Sequence, residues 1–455
     1  MIAPARVAAY KILSAVSAGR ADLPTAIAAA RADLAGDNME RDRALANDIA
    51  TGVQRMRAAL DHLITAFSKR KIDRLDPEIV EILRLSAYQL LYHSRVPASA
   101  VVDDAVDLAR RAGKGSATGF VNAVLRTISR KRESLPLPPR PVDRTDRAAA
   151  LGYFSITLSH PLWLAARWYD RMGFDTTEAW LSFDNAPAPL TLRANSLRLS
   201  RQDFANRLAA EGVLVRPARF APDGFIVEEG QPLAGGGFDA GWFVAQDEAS
   251  QLVALLAGAH PGPHVLDACA SPGGKTTAIA AAMKDAGLLV ACDVRSRRIE
   301  LLRRTVAASG ATRVRIVQAD LLMPLPFGGC FDCVLVDAPC SGLGTLRRDP
   351  DIRWRRRESD LAPLAAAQLA MLGRAAEVVA PGGRLVYATC SSEPEENEAV
   401  VDDFLSTHGD FRLLNLQSDD ARLTAPFLDQ RGMLRTLPFM HGLEAFFAAA
   451  LVRSL

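Results

Sequence analysis

Apolar residues recur at helical spacing through most of residues 5–132. Val7, Tyr10, Leu13 and Val16 mark one stripe, and Asp76, Pro77 and Glu78 form a helix start. Its buried face continues through Ile79, Ile82, Leu83, Leu85, Leu90 and Leu91, and Val96-Pro97 ends it. A further helix is predicted over 99–111, after which Gly113 and Gly115 punctuate the chain before FVNAVLRTISRKR. The pattern predicts an all-α bundle over residues 1–135. Residues 133–142, ESLPLPPRPV, then hold four prolines in ten positions and open a stiff linker assigned to 136–158.

Beyond the linker the period changes. Helical pieces carrying Trp163, Trp168 and Trp180 enter through Ser159-His160-Pro161, and LTLRANSLRLS reads as a strand, RQDFANRLAAEGV as a helix. Residues 159–238 are therefore expected to hold a helical segment and a small α+β, RRM-like module that ends near Gly237. Arg193 and Asn195 lie on its first strand, where facing RNA and plain solvent exposure are equally open readings.

From residue 239 to 455 short apolar strands alternate with helices. HVLDACA, LLVACD, VRIVQAD, FDCVLVDAP and GRLVYATC are separated by helical runs of about 10–18 residues, the signature of a parallel, doubly wound α/β (Rossmann-like) sheet. Ligands of such a sheet lie beyond the carboxyl ends of its strands.

Composition narrows the class. With 455 residues, 49% of them apolar, several domains can each bury a core, yet no stretch reaches the roughly 20 apolar residues of a membrane span. The start, MIAPARVAAYKIL, lacks a cleavage site, so a cytoplasmic protein with no membrane partner is expected, a monomer by default. Six cysteines in such a chain do not make a disulfide framework, and the lone CxxC at Cys330 and Cys333 has no second pair. No metal is expected. Residues 1–140 hold 22 Lys+Arg against 15 Asp+Glu, and the remainder 32 against 37, so the helical front half suits a polyanion. Three clusters carry that charge: residues 69–71, 110–111 and 130–132.

The chemistry gathers in residues 334–348, VLVDAPCSGLGTLRR. An apolar strand breaks at Pro339 and delivers Cys340 beside Asp337, and Cys390 ends another strand in VYATCSS. Two loops that follow strands of one parallel sheet open on the same edge, so both thiols can meet one ligand there, a covalent-catalysis site for a nucleic-acid base. DACASPGGKT, residues 267–276, forms the first strand-to-helix loop. It nearly completes a phosphate loop, but the first glycine would fall at Cys269, and GxGxxG is also missing. Acidic residues close three successive strands, at Asp267, Asp293 and Asp320. S-adenosylmethionine fits this pattern: its amino-acid end at the Gly-rich loop and Asp267, its ribose at Asp293, its adenine at Asp320.

DACASPGGKT, Asp293, Asp320, DAPCSGLGTLRRDPD and ATCSS, in this order and spacing, resemble the motifs of the Sun-type RNA cytosine-C5 methyltransferases. VAQDEASQL and the terminal FFAAALV are similar too. DRALANDIATGVQR, YQLLYHSRVPASAVVDDAVDLARR and TGFVNAVLRTI resemble the NusB-like domain fused to the bacterial RsmB branch. Departures are mild: Ser271 stands where the family more often has alanine, and LEAFF where DGFF is usual.

The resemblance implies a 16S rRNA cytosine-C5 methyltransferase acting at cytosine 967, with naked or partly assembled small-subunit RNA as partner. It assigns Cys340 as the thiolate that adds at C6, Asp337 to the base edge near N3, and Cys390 to the elimination that releases RNA. Lys275 joins the catalytic set, although pairing with RNA phosphates is the task expected of it and of Arg347 and Arg348. The implied cofactor set is Asp267, Ala268, Cys269, Ala270, Ser271, Pro272, Gly273, Gly274, Lys275, Asp293, Arg298, Asp320 and Asp337. A reading from another class is an RNA-binding assembly or antitermination factor with the methyltransferase fold as scaffold. Intact Cys340, Cys390 and Asp337 argue against it.

Overall fold

Proline and acidic residues start the helices of the front half. The computed structural model describes residues 2–34, 39–414, 416 and 423–455, which divide into two units. Unit 1 comprises Met1–Pro187 and Leu346–Glu358. Its helices are α1 (Pro4–Ser17), α2 (Leu23–Asp33), α3 (Glu40–Arg55), α4 (Arg57–Ser68), α5 (Pro77–Tyr92), α6 (Ala98–Arg111) and α7 (Thr118–Arg130), then α8 (Arg147–Gly152) and α9 (Leu162–Asn185). Proline occupies the first turn of α1, α2 and α5, where its missing N–H costs nothing, and the Asp22 side chain caps α2 by accepting from Thr25 N at 2.9 Å. The stripes read from the sequence meet in one core that includes Ile12, Leu13, Ile49, Leu60, Ile82 and Leu125. The helix expected to run to Val96 stops at Tyr92. The tryptophan-bearing pieces form one long element, α9, broken at Gly173, where φ is +76°. α9 belongs to unit 1.

The segment Leu346–Glu358 returns to unit 1 and brings Arg353 with it. This guanidinium is fully buried and donates to the carbonyl oxygens of Ser159 (3.1 Å) and Asp184 (3.3 Å) and to Asn185 Oδ1 (3.0 Å). Burial pushes the Asp184 carboxyl up to about 8, against the pull of Arg353, Arg347 and Arg55. His160 Nε2 lies 3.6 Å from it, and burial drives that imidazole toward its neutral form.

Unit 2, Ala188–Thr345 and Ser359–Leu455, holds two sheets. The smaller contains β1 (Thr191–Ala194), β2 (Leu214–Pro217), β3 (Gly224–Glu229) and β4 (Phe243–Ala245) in the antiparallel order β2-β3-β1-β4, with helix α10 (Arg201–Ala210) over a core of Leu192, Phe204, Phe225 and Phe243. The expected end near Gly237 falls short, because β4 pairs with β1 (Leu192 opposite Ala245) and completes the sheet.

The larger sheet is built from β5 (His264–Asp267), β6 (Leu288–Asp293), β7 (Val314–Gln318), β8 (Phe331–Asp337), β9 (Val379–Thr389), β10 (Phe411–Leu413), β11 (Leu434–Arg435) and β12 (Phe447–Arg453). Its order is β10-β12-β9-β8-β5-β6-β7, with β11 also on β12. β9, β8, β5, β6 and β7 run parallel, as the alternation of strand and helix predicts. β12 is antiparallel to β9, and β10 and β11 to β12, so the sheet is mixed rather than all parallel. An antiparallel return does not need a helical crossover. Both faces of the parallel core are covered: Val334 and Val336 enter one apolar cluster, Cys333 and Leu335 the other, hence the unbroken apolar run CVLV within FDCVLVD. Among the described residues no helix is long and apolar enough to cross a membrane.

Candidate active site

The register of β8 and β9 sets the site. Asp337, last residue of β8, lies opposite Ala388, and Ala338 N donates to Ala388 O at 2.8 Å, so the loops that follow leave the sheet side by side. Gly344 N donates to Cys390 O at 2.9 Å, and Gly344 O accepts from Ala445 N at 2.9 Å. A Cβ at Gly344 would meet Ala445 O at 2.0 Å, so no larger residue fits there. The result is a close pair of cysteines not joined by a disulfide, Cys340 and Cys390, with sulfur atoms 3.3 Å apart.

Below the thiols, Lys275 Nζ lies 2.5 Å from Asp337 Oδ2 and 5.6 Å from the centre of the Phe446 ring. Burial opposes the ammonium charge, but Asp337 outweighs it, and the Lys275 pKa rises from its ordinary value. The Cys340 thiol is pushed well above the ordinary range, first by its hydrogen bond with Cys390, then by burial and the negative charge of Glu396. Cys340 therefore resists ionisation in these surroundings.

Next to this group lies a cavity of about 750 Å³, lined by Phe238, Phe243, Gln246, Asp267, Cys269, Ala270, Ser271, Pro272, Gly274, Lys275, Leu301, Asp337 and Phe446 among others. Gly273 starts helix Gly274–Ala282 with φ +106°, a conformation that glycine adopts without penalty. Asp267 is fully buried; its Oδ2 accepts from Thr276 Oγ1 at 2.7 Å, while Oδ1 has no partner. Burial pushes this carboxyl up to about 7, with Asp337 adding to the rise and the Thr276 hydrogen bond and Lys275 opposing it. A buried acceptor without a donor at a cavity wall suits a cationic ligand group.

The chain was compared with known proteins. The model for the 16S rRNA methyltransferase RsmB/F matches residues 254–452, that for the NusB family residues 3–130, and that for the RsmF/B-like ferredoxin-like domain residues 160–234. A probable ribosomal RNA small subunit methyltransferase B of Bacillus subtilis is 33% identical, covering 90% of this chain and 91% of its own. A protein of the same description from Synechocystis is 35% identical, with 99% of each chain covered. The chain belongs to the RsmB/F family of 16S rRNA methyltransferases. The crystal structure of PH0851 superposes with a TM-score of 0.82 at 26% identity over 99% of each chain. The sequence resemblance, the three-part fold and the assignment as a methyltransferase enzyme of the S-adenosylmethionine-dependent class thus all hold.

Within this RsmB/F methyltransferase, the residues expected at the site divide into two groups. Asp267, Cys269, Ala270, Ser271, Pro272, Gly274, Lys275 and Asp337 line one cavity, and Cys340 and Cys390 stand together. Ala268 is a core residue whose N–H donates to Leu335 O at 2.9 Å. Asp293 spends its carboxylate on Ser271 N (3.2 Å), Val294 N (2.9 Å) and Arg298 Nε (3.3 Å). Ser271, the departure from the usual alanine, donates through Oγ to Arg298 O at 3.0 Å and fastens the loop to the helix Ser296–Ser309. Asp320 is exposed and accepts from Leu322 N at 3.0 Å; it is not among the residues that line the cavity.

Two expectations are overturned. Arg193 and Asn195 neither face RNA nor lie exposed. Arg193 is buried and donates to Gln246 Oε1 (2.7 Å), Gly274 O (3.1 Å) and Thr277 Oγ1 (2.7 Å), while Asn195 donates to Gly241 O and Ser309 O, both at 2.8 Å. Arg193 thus ties β1 to the first turn of helix Gly274–Ala282, and Asn195 ties the residue after β1 to Ser309. Nor is Lys275 free for a phosphate, being buried against Asp337. Arg347 lies in unit 1, 4.4 Å from the Phe183 ring centre and donating to Pro187 O at 2.5 Å. Sequence reasoning missed Gln246, Phe446, Gln368, Glu396 and Asn397; Gln246 and Phe446 lie inside VAQDEASQL and LEAFF, stretches noted for resemblance without a role.

Proposed function

We propose that this enzyme methylates C5 of cytosine 967 in 16S rRNA through a covalent bond between Cys340 and C6. The observation that carries the reading is the pair of sulfur atoms 3.3 Å apart on the two loops that leave β8 and β9, next to Asp337, which ends β8 and lines the cavity with Lys275. S-adenosylmethionine suits the cavity because Asp267 Oδ1 offers an unmatched acceptor for its ammonium group; Gly274, Ser271 and Phe446 complete that wall. Bound there, it supplies an electrophilic methyl group.

The protein's own residues do the rest. Cytosine C5 is a poor nucleophile, so the Cys340 thiol gives up its proton as its sulfur forms a bond to C6, the ring electron pair moves toward C5 and N3, and N3 takes up a proton. Asp337, with Lys275 at 2.5 Å, faces the base edge and steadies charge that develops near N3. Once C5 carries the methyl group, its proton passes to the Cys390 sulfur, the electron pair returns to the ring, the N3 proton is released, and the C6–sulfur bond breaks with its pair on Cys340. Cys390 assists that elimination. Reaching the pocket requires an unstacked base, so looped or single-stranded RNA is the substrate. In unit 1, exposed Arg70 lies over Phe120 (5.0 Å) and Lys131 over Phe67 (5.8 Å), which gathers two of the basic clusters into one surface suited to an RNA backbone.

Tritium transfer from labelled S-adenosylmethionine to unmodified 16S rRNA, with bisulfite sequencing of position 967, tests the activity. Cys340→Ala should be inactive, and Cys390→Ala should accumulate protein that migrates with RNA on a denaturing gel. If the two variants exchange behaviours, the roles are inverted; if no rRNA incorporates label, the enzyme reading fails and the scaffold reading gains.

A further inference from the structure

The short turn after β9 holds a fully buried carboxylate that none of the chemistry above uses. Glu396 Oε1 accepts from Ser341 N at 2.8 Å and from Gln368 Nε2 at 2.9 Å, and Gln368 Nε2 also donates to Pro339 O at 2.9 Å. Pro339 and Ser341 are the residues on either side of Cys340. The next residue repeats the arrangement on the other loop. Asn397 Oδ1 accepts from Thr389 Oγ1 at 2.6 Å, and Asn397 Nδ2 donates to Ser391 O at 3.0 Å; Thr389 and Ser391 flank Cys390. The two grips are tied together, because Ser391 Oγ donates to Glu396 Oε2 at 2.5 Å and lies 3.1 Å from Ser341 Oγ. Tyr387 holds the turn itself, its hydroxyl donating to Glu396 O at 2.6 Å.

We propose that Glu396 and Asn397 are the positioning residues of this active site: Glu396, with Gln368, sets where the Cys340 sulfur stands, and Asn397 sets Cys390. The inference rests on the reading that Cys340 makes the bond to the base and Cys390 assists its release. Two neighbours on one turn thus serve two separate steps. A sulfur displaced by about 1 Å loses about 10- to 100-fold in the step it serves. A carboxylate here also acts against thiolate formation at Cys340, since its charge is one cause of that thiol's raised pKa. Its presence despite that opposition is what a geometric role explains.

The experiment compares Glu396→Gln and Asn397→Ala with the parent enzyme, using full-length protein, 16S rRNA and S-adenosylmethionine. Covalent adduct and methylated product are followed separately in single turnovers. Glu396→Gln leaves one amide N–H₂ facing donors, so adduct formation should slow by about 10-fold or more, with cofactor Kd unchanged. Because a negative charge is also removed, the pH at which adduct formation is half-maximal should move down, which lost packing alone would not produce. Asn397→Ala should form adduct at the parent rate and release it slowly, so that adduct accumulates as it does for Cys390→Ala. Glu396→Asp and Asn397→Ser are measured alongside, with thermal unfolding, so that a variant that does not fold leaves its milder partner to decide. Cys340→Ala and Cys390→Ala in the same assay judge the underlying reading. If those two behave as expected while the Glu396 and Asn397 variants keep the parent's rates and adduct level, the positioning role is refuted and the two-thiol reading stands. If the cysteine variants themselves misbehave, the reading beneath it falls.

Discussion

Asp267 and Glu396 are both fully buried carboxylates in loops at the carboxyl ends of strands in one sheet, yet they are treated oppositely. Asp267 keeps one oxygen without a donor at the wall of a large cavity. Glu396 has donors on both oxygens, from a backbone amide, a glutamine and a serine. The contrast separates a region built to receive from one built to hold. An orphaned acceptor costs the empty fold about 1–3 kcal/mol, which a cationic ligand recovers, whereas a saturated one fixes its surroundings before any ligand arrives.

The sharpest break of that comparison is Glu396→Ala. Removing the acceptor leaves Ser341 N, Ser391 Oγ and Gln368 without it, and the fold should lose about 3 kcal/mol with cofactor affinity within about twofold of the parent. Thermal unfolding and calorimetric titration check both halves. A variant as stable as the parent would falsify the holding role.

Asp267→Asn should do the reverse. S-adenosylmethionine Kd should weaken by about 10- to 100-fold, the worth of one hydrogen bond to a charged group, while the melting temperature stays level or rises. An asparagine variant that loses stability but keeps its affinity assigns Asp267 to the frame instead.

The same residue predicts a pH profile. With its carboxyl near 7, Asp267 is protonated below that value and loses its charge for an ammonium group. Cofactor affinity should fall as pH drops below about 7, approaching tenfold per unit, and level off above it. Titrations from pH 5.5 to 8.5 with the parent and Asp267→Asn measure this, and only the parent should show the slope.

Asp184 in unit 1 gives the smallest effect and a control away from the site. Its carboxyl sits near 8 in the fold and near the ordinary value of about 4 when unfolded, so the folded state holds the extra proton between those values. The associated stability is complete below about pH 4 and is lost as pH rises through about 8. Asp184→Asn should therefore flatten the melting temperature against pH across that window and gain a few degrees above pH 8.

Period and punctuation made much of this legible beforehand. The bundle core, the parallel strands from β5 to β9 and the loops carrying Asp267, Asp337, Cys340 and Cys390 all follow from residues whose spacing is set by local geometry. What escaped depends on contacts between distant segments. Arg193 and Asn195 look like polar positions on an ordinary strand, and only the partners they meet far along the chain, Gly274 and Thr277 for Arg193 and Gly241 and Ser309 for Asn195, reveal them as buried ties. Glu396 and Asn397 lie in SSEPEENE, an acidic run with no apolar spacing to mark burial. β12 is an apolar run whose direction no spacing encodes.

The return of Leu346–Glu358 to the helical unit has a consequence for synthesis of the chain. A ribosome that has released the first 187 residues has made most of that unit but not Arg353, whose guanidinium answers the carbonyls of Ser159 and Asp184. The front half stays unfinished until residues far into the catalytic half have emerged. No single cut of the gene yields two whole parts, and a fragment ending at Pro187 should melt earlier than the same helices within the intact polypeptide.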